Sequence, residues 1–174
     1  MRIRPATVED ADALAVVHVL SWQAGYIGQV PQEYLDGLDR AARRDRWADI
    51  LLTIQPPTAT TVLEHDREGV IGFVSIGPGQ DADADATRGE LMAIYVAPAY
   101  WGLGVGRRLM DEALRQLRAA GFASATLWVL ASNTRAREFY EAFGWRPDGT
   151  TMTDHSRGFP LEEVRYHVAL PGAL

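Results

Sequence analysis

The segment Tyr95-Val-Ala-Pro-Ala-Tyr-Trp-Gly-Leu-Gly-Val-Gly-Arg-Arg-Leu-Met110 joins the end of an apolar strand to an amphipathic helix through a turn with three glycines. Such a turn exposes backbone N–H groups that have no partner within the following helix. Together with the positive end of the helix dipole, these groups favour a bound anion. Arg107 and Arg108 lie in the first helical turn, where cations are unfavourable unless an anion is bound. The segment therefore predicts a phosphate-binding turn.

The composition is that of one globular domain over residues 1–174, with 47% hydrophobic residues. The net charge of −6 gives no basic field for binding nucleic acid. The absence of cysteine excludes disulfides, thiolate metal sites and a cysteine nucleophile. No apolar signal core follows Met1, and no run approaches the ~20 apolar residues of a membrane helix. We therefore expect a cytoplasmic protein without membrane or nucleic-acid partners.

Hydrophobic periodicity predicts an α/β protein, in the sense of an α+β arrangement around a mixed sheet of about seven strands with about four helices. The clustering of strands before the central helix favours antiparallel hairpins over a doubly wound parallel sheet. The strand–helix–strand unit over 90–130 should be a right-handed parallel crossover. The predicted elements are strands at 2–4, 60–64, 70–76, 90–96, 124–130, from 145 onward and at 161–170, and helices at 8–26, 32–52 with a break near Gly37, 104–120 and 133–143.

Residues 77–89 form a polar connection without a hydrophobic pattern. Asp81, Asp83 and Asp85 imitate the start of a calcium-binding loop. Such a loop requires glycine at its sixth position and glutamate at its twelfth, where this sequence has Ala86 and Met92. We therefore expect a solvated, mobile loop and no metal site.

Three phosphate-binding motifs compete for the glycine turn. The P-loop pattern is absent. The dinucleotide pattern requires a third glycine, which is replaced by Arg107 when counting starts at Gly102 and by Leu109 when it starts at Gly104. The remaining candidate is a turn whose backbone amides bind the pyrophosphate of an acyl-coenzyme A.

Residues 100–106 resemble the signature of the GCN5-related N-acetyltransferases (GNAT), whose core reads Gln/Arg-x-x-Gly-x-Gly/Ala. Gly104 and Gly106 match it, and Trp101 stands where Gln or Arg is usual. The strand at 90–96, the segment from Trp128 to Trp145 and the opening segment from Ile3 to Ala11 are also similar to this family. The resemblance covers nearly the whole chain and implies the GNAT acyl-CoA N-acyltransferase fold. It also implies transfer of an acetyl group from acetyl-CoA to an amine.

The resemblance implies which residues hold the coenzyme. The pantetheine would run along the fourth strand, which splays from the fifth in this family, and would pair with the backbone of Ile94 and Val96. The pyrophosphate would lie on the backbone N–H groups of the glycine turn. Asn133 resembles the coenzyme-contacting asparagine of the family, although a helix N-cap is the alternative. The expected cofactor-binding residues are Ile94, Tyr95, Val96, Trp101, Gly102, Leu103, Gly104, Val105, Gly106, Arg107, Arg108 and Asn133.

Two residues are the catalytic candidates. Glu90 matches a strand position where the family often has a glutamate, and it would accept the proton of the amine directly or through water. Tyr140 would protonate the departing thiolate, since a tyrosine hydroxyl can donate a proton. The alternatives are an exposed carboxylate at a strand start for Glu90 and core packing for Tyr140.

The acceptor amine is not identified by any motif. Trp22 and Tyr26 share a helix face and would line either the core or an acceptor pocket, and His155 is a weaker candidate for the same pocket. Aromatic and acidic residues would suit a cationic small molecule or a peptide amine. A non-catalytic acyl-CoA sensing module on the same fold is the rival function, and a homodimer is an open alternative.

Overall fold

The computed structural model describes residues 1–172. Its strands are β1 (Arg2–Pro5), β2 (Ala59–His65), β3 (Gly69–Pro78), β4 (Arg88–Val96), β5 (Ser124–Leu130), β6 (Arg146–Asp154) and β7 (Leu161–Ala169). Its α-helices are α1 (Ala11–Gly25), α2 (Gln32–Asp36), α3 (Arg40–Thr53), α4 (Val105–Ala119) and α5 (Thr134–Ala142). Short 3-10 helices lie at Val8–Asp10 and Pro98–Tyr100.

The seven strands follow the order β1-β2-β3-β4-β5-β7-β6. β1, β2 and β3 pair antiparallel, and so do β5, β7 and β6. β4 and β5 pair in parallel over Arg88–Glu90. The predicted mixed sheet and the predicted parallel pairing around α4 are therefore confirmed.

The chain divides into two compact units. The first unit comprises Met1–Gly77 and Leu91–Gln116, and the second comprises Pro78–Glu90 and the chain from Leu117 on. β4 and α4 each continue from one unit into the other. The single domain over residues 1–174 stays a prediction.

The predicted helical region over 32–52 consists of two helices, so the described residues form five α-helices where about four were expected. α2 ends at Asp36, and Gly37 follows it. α3 then begins after Asp39, whose carboxylate accepts a hydrogen bond from the Ala42 N–H as an N-cap. The expected break near Gly37 is thus a full helix boundary with its own cap.

Close packing holds the start of α4 in the first unit. Val105, Leu109 and Ala113 are at most 1% exposed, as the helical periodicity predicted. A Cβ atom at Gly72 of β3 would lie 2.9 Å from Leu109 Cδ1 and 3.1 Å from the Tyr95 carbonyl oxygen. The missing side chain at Gly72 therefore lets the first turns of α4 and the end of β4 approach β3.

We expect Gly72→Ala to destabilise the protein, because the added methyl group needs space that Leu109 and the Tyr95 backbone occupy. Overpacking of this kind costs about 1–3 kcal/mol of unfolding free energy. Urea titration with the unfolding midpoint as readout tests this. Gly25→Ala is the matched control, since its methyl group would lie 3.8 Å from Trp101, an ordinary contact. Equal midpoints for Gly72→Ala and Gly25→Ala would contradict the packing argument.

Candidate active site

The glycine turn leads directly into α4, as an anion-binding turn requires. Gly102 and Gly104 have φ angles of 76° and 83°, which favour glycine. α4 begins at Val105, so its first N–H groups have no partner within the helix. The side chains of Arg107 and Arg108 are exposed on the first helical turn. The geometry of the turn suits the pyrophosphate of a coenzyme.

Leu103 and Gly106 are two further residues predicted to bind the coenzyme. Leu103 lies between the two left-handed glycines and is 67% exposed. Gly106 lies in the first turn of α4 with partial exposure. The turn thus presents mostly backbone, which is the surface that a phosphate would contact.

Trp101 uses its side chain within the protein. Its indole N–H donates to the Val96 carbonyl oxygen at 2.8 Å. The Ser21 hydroxyl donates to the same oxygen at 2.9 Å. Because an indole has a single donor, the side chain of Trp101 cannot replace the polar contact that Gln or Arg would provide at this position. Instead it fixes the glycine turn to the end of β4.

Beyond Glu90, the edge of β4 that faces away from β3 is where the sequence predicted backbone contacts with the pantetheine. The Ala97 N–H donates to Ile71 of β3 at 2.8 Å, so the alternating groups of Ile94 and Val96 point to the opposite edge. The Val96 carbonyl on that edge already accepts two side-chain donors. The N–H of Val96 and the backbone groups of Ile94 are therefore the groups suited to pairing with an extended ligand.

Tyr95 and Trp22 belong to an aromatic cluster of the first unit. The Trp22 indole N–H donates to the Tyr95 hydroxyl at 3.1 Å. The ring of Tyr26 meets Trp22 edge-on at 4.6 Å, and that of His18 stacks on Tyr95 at 4.9 Å. Trp22 is only 8% exposed, whereas Tyr26 and Tyr95 are partly exposed. Trp22 thus packs in the core, and Tyr26 presents the more accessible surface.

Glu90 occupies a half-buried position in the second unit. It pairs with Thr126 of β5, which is 1% exposed, and its Oε2 atom accepts the Gln80 N–H at 2.9 Å. Burial raises the pKa of the Glu90 carboxyl. The Gln80 hydrogen bond lowers this pKa, and the negative charge of Asp81 raises it further. A carboxyl that is partly buried, raised in pKa and held by one hydrogen-bond donor has the properties of a general base.

The expectation of a merely solvated loop before β4 is wrong for two of its aspartates. Asp83 accepts two hydrogen bonds from Arg165, at 2.8 and 2.9 Å, and one from Arg88 at 2.6 Å. Asp81 accepts one from Arg165 at 3.1 Å and one from the Trp128 indole at 3.0 Å. The hydrogen bonds of Arg165, and then those of Arg88, hold the pKa of Asp83 well below its usual range. These aspartates serve as partners of arginines.

Sequence reasoning also missed Arg165 and Glu163 on β7. Arg165 is buried, and Glu163 is a second half-buried carboxyl whose pKa is raised, first by burial and then by the charge of Asp154. The sequence did contain a signal for Arg165, because its two neighbours, Val164 and Tyr166, are apolar. A charged residue within a strand predicted from such neighbours needs a partner of opposite charge.

Tyr140 and Asn133 lie on α5 and at its start. Tyr140 is partly exposed and packs against Phe139 and Tyr166, with ring centroids 5.6 and 6.3 Å apart. The Asn133 Oδ1 atom accepts the Ala136 N–H at 3.2 Å, so Asn133 is the N-cap of α5. The side-chain N–H groups of Asn133 take no part in this cap bond.

His155 lies at an exposed position in the turn between β6 and β7. Its carbonyl oxygen accepts the Gly158 N–H at 3.1 Å, which closes the turn. Among residues 1–172, no three His, Asp or Glu side chains are arranged to hold a metal ion. No helix within that range is long and apolar enough to span a bilayer.

A comparison with protein families decides the identity. The model of the acetyltransferase (GNAT) family matches residues 21–145, which include Glu90, the glycine turn and Tyr140. The chain belongs to the GNAT family. The expected family and the expectation of an N-acetyltransferase are thereby confirmed, and so is acetyl-CoA as the co-substrate.

Individual relatives agree with this assignment. The GNAT chain is 32% identical over 141 residues to the uncharacterized N-acetyltransferase YuaI of Bacillus subtilis, covering 81% of this chain and 78% of the relative. It is 24% identical over 156 residues to a spermidine N(1)-acetyltransferase of Thermoplasma acidophilum, covering 88% and 93%. The crystal structure of the PaiA N-acetyltransferase of T. acidophilum with coenzyme A superimposes with a TM-score of 0.77 at 22% identity, covering 97% and 98%. The predicted GNAT fold is therefore confirmed.

We expect Glu90→Gln to raise the stability of this GNAT protein at pH 7, because it removes a half-buried negative charge. The folded-state pKa of Glu90 lies above its ordinary value of 4.5. The contribution of Glu90 to folding stability is therefore complete below its unfolded-state pKa, and it is lost as the pH rises through its folded-state pKa. The higher stability of the variant over the wild type should therefore develop as the pH rises through the folded-state pKa, and it should be absent at pH 3–4.

Thermal unfolding midpoints measured from pH 3 to 8 would show this pattern. Glu138→Gln is the control, since it makes the same substitution at a side chain that is exposed on α5. A Glu90→Gln midpoint below that of the wild type at pH 7 would contradict the burial cost.

Proposed function

We propose that the protein transfers the acetyl group of acetyl-CoA to a primary amine of a small molecule, by direct attack of the amine in a ternary complex. The observation that carries the proposal is the Glu90 carboxyl, which is half-buried, raised in pKa and held by the Gln80 N–H. Direct transfer needs a group that takes a proton from the acceptor ammonium before the amine attacks. Glu90 is the residue best suited to that step.

The role of Glu90 follows from the charge change that it undergoes. An ammonium ion has no lone pair to attack a thioester, so the acceptor must lose a proton first. Partial burial makes the Glu90 carboxylate more basic than a carboxylate in water, which favours acceptance of that proton. The proton can move directly or through one water molecule.

The donor is held by residues of the first unit. The backbone N–H groups from Leu103 to Arg108 would bind the pyrophosphate, and the two arginines would add positive charge beside it. The edge of β4 at Ile94 and Val96 would pair with the pantetheine as an added strand does. Such backbone contacts hold an extended chain in register and so orient the thioester.

Tyr140 completes the proposed chemistry. Collapse of the tetrahedral intermediate expels a thiolate, which is a better leaving group when a proton is supplied to it. The Tyr140 hydroxyl would donate that proton. Asn133 would contact the coenzyme through its side-chain N–H groups while its Oδ1 atom caps α5.

The acceptor class rests on a relative and on the aromatic surface. The spermidine N(1)-acetyltransferase similar to this chain is named for a small polyamine. Tyr26, with Trp22 behind it, and His155 are the proposed acceptor-contacting residues. Aromatic faces attract ammonium groups, which suits a cationic small molecule. Peptide amines, a homodimer and a cytoplasmic location stay predictions.

Replacement of the proposed base tests the function. We expect Glu90→Gln to lower kcat by about 10²–10⁴, the usual contribution of a positioned base. The acid limb of the kcat profile that reports the Glu90 carboxyl should also disappear, because the amide does not titrate. Thiol release from acetyl-CoA, measured from pH 5 to 9 with a panel of polyamines and amino acids, gives both quantities. Glu138→Gln should keep the wild-type profile, and a wild-type profile in Glu90→Gln would remove Glu90 as the base.

A second pair of variants separates proton donation from coenzyme binding. Tyr140→Phe should slow the chemical step by about 10²-fold or more, while the Kd of acetyl-CoA stays unchanged, because only the hydroxyl is lost. Arg107→Ala should do the reverse and raise the Kd, because it removes positive charge beside the phosphates. Single-turnover kinetics and calorimetric titration measure the two effects. Full activity of Tyr140→Phe in single-turnover experiments would exclude it as the acid.

A further inference from the structure

Arg165 is the centre of a hydrogen-bond network in the second unit. Its Nε atom donates to Asp148 at 2.7 Å. Nη1 donates to Asp81 at 3.1 Å and to Asp83 at 2.8 Å. Nη2 donates to Asp83 at 2.9 Å and to Thr150 at 3.1 Å. All five N–H donors of the guanidinium are therefore used, and its side chain is only 8% exposed.

The network joins β6 and β7 to the connection between β3 and β4, which we name the acidic loop (residues 79–87). Asp148 lies on β6, whereas Asp81 and Asp83 belong to the acidic loop. Trp128 adds its indole N–H to Asp81, and the Arg165 guanidinium lies over the Trp128 ring at 5.8 Å. The bonds of Arg165 to Asp81 and Asp83 link residues more than 80 positions apart in sequence and attach the loop to β7.

The attached loop bears directly on Glu90. Gln80, whose N–H donates to the Glu90 carboxylate, immediately precedes the anchored Asp81. On its other side, the Gly79 N–H donates to the Arg88 carbonyl oxygen at 2.8 Å. The Gln80 N–H is thus held between two anchors, and one of them depends on Arg165.

We infer that Arg165 is a positioning residue for Glu90, because it holds the acidic loop so that the Gln80 N–H orients the carboxylate and the loop limits the access of water to it. Arg165 acts through the loop and takes no part in the proton transfer itself. The inference rests on the proposed role of Glu90 as the base. Arg165 lies outside residues 100–106, which carry the GNAT signature.

The charged and titratable groups around Glu90 define the expected pH effect. Asp81, in the acidic loop, raises the pKa of Glu90, and Arg88, on β4, lowers it. Glu90 pairs with Thr126 of β5, which in turn pairs with His167 of β7. Burial is the largest cause of the raised pKa of Glu90, followed by the opposing Gln80 hydrogen bond and then by Asp81. Release of the loop would admit water and remove the Asp81 charge. Because burial has the largest effect, the acid limb of the kcat profile should then move to lower pH.

The test uses two variants that loosen the loop. Arg165→Met removes the guanidinium at the centre of the network. Asp83→Ala removes the two hydrogen bonds that Arg165 makes with this residue of the loop. Because the Asp83 side chain is 58% exposed, this second variant should keep the fold. For both variants we expect kcat to fall at least tenfold, the acid limb to move down and the KM for acetyl-CoA to stay within about twofold. Amide hydrogen exchange should show loss of protection at Gln80.

Arg4→Met is the matched control. Arg4 also pairs with two carboxylates, those of Asp10 and Glu64, but it lies in the first unit. The Arg4→Met variant should unfold more easily than the wild type, but the acid limb of its kcat profile and the exchange rate of its Gln80 amide should be those of the wild type. An unmoved acid limb in a folded Asp83→Ala variant, or an equal shift in Arg4→Met, would overturn the positioning role.

The same assay distinguishes this inference from the proposed function. If Glu90→Gln abolishes the acid limb but Asp83→Ala leaves it in place, Glu90 is the base and Arg165 does not position it. If Glu90→Gln keeps the wild-type limb, the proposed base fails, and the positioning role fails with it. Loss of Gln80 protection without any kinetic change would show a loop anchor that has no catalytic consequence, and would also overturn the inference.

Discussion

The backbone of β4 is under a constraint on which the candidate site depends. Each N–H and C=O of a strand must find a partner, because an unsatisfied polar group costs free energy. β4 meets this demand in two ways along its length. Arg88–Glu90 pair with β5, whereas the carbonyl oxygen of Val96 takes side-chain donors from Ser21 and Trp101. Glu90 therefore lies in the part of the strand that pairs with β5, and Val96 lies in a part whose carbonyl oxygen is satisfied by side chains.

A second constraint concerns the charge of Glu90. A half-buried carboxylate opposes folding at neutral pH, and its raised pKa expresses that cost. The Gln80 hydrogen bond offsets part of the cost without neutralising the charge. The carboxylate is thereby kept in one orientation and remains a better proton acceptor than one in water. Stability and proposed catalysis are thus opposed at this residue, as is common in active sites.

The sequence predicted those parts of the fold and site that local patterns encode. The glycine turn, the buried stripe of α4 and the strand that carries Glu90 all follow from spacing within about twenty residues. The Arg165 network was not predictable in this way, because Asp81 and Arg165 are 84 positions apart and meet only after β5, β6 and β7 have paired. The replacement of Gln or Arg by Trp101 was visible in the sequence. Its consequence, a bond to Val96, required the structure.

The acidic loop shows why composition alone misleads. Three aspartates in five residues suggest either a cation site or a solvated surface. In the structure, Asp81, Asp83 and Asp148 surround Arg165 and Arg88, so three negative charges face two positive ones. Of these charges, that of Asp81 raises the pKa of Glu90 and that of Arg88 lowers it. Because Asp81 adds to the effect of burial, it contributes to the raised pKa that makes Glu90 a better proton acceptor than a carboxylate in water.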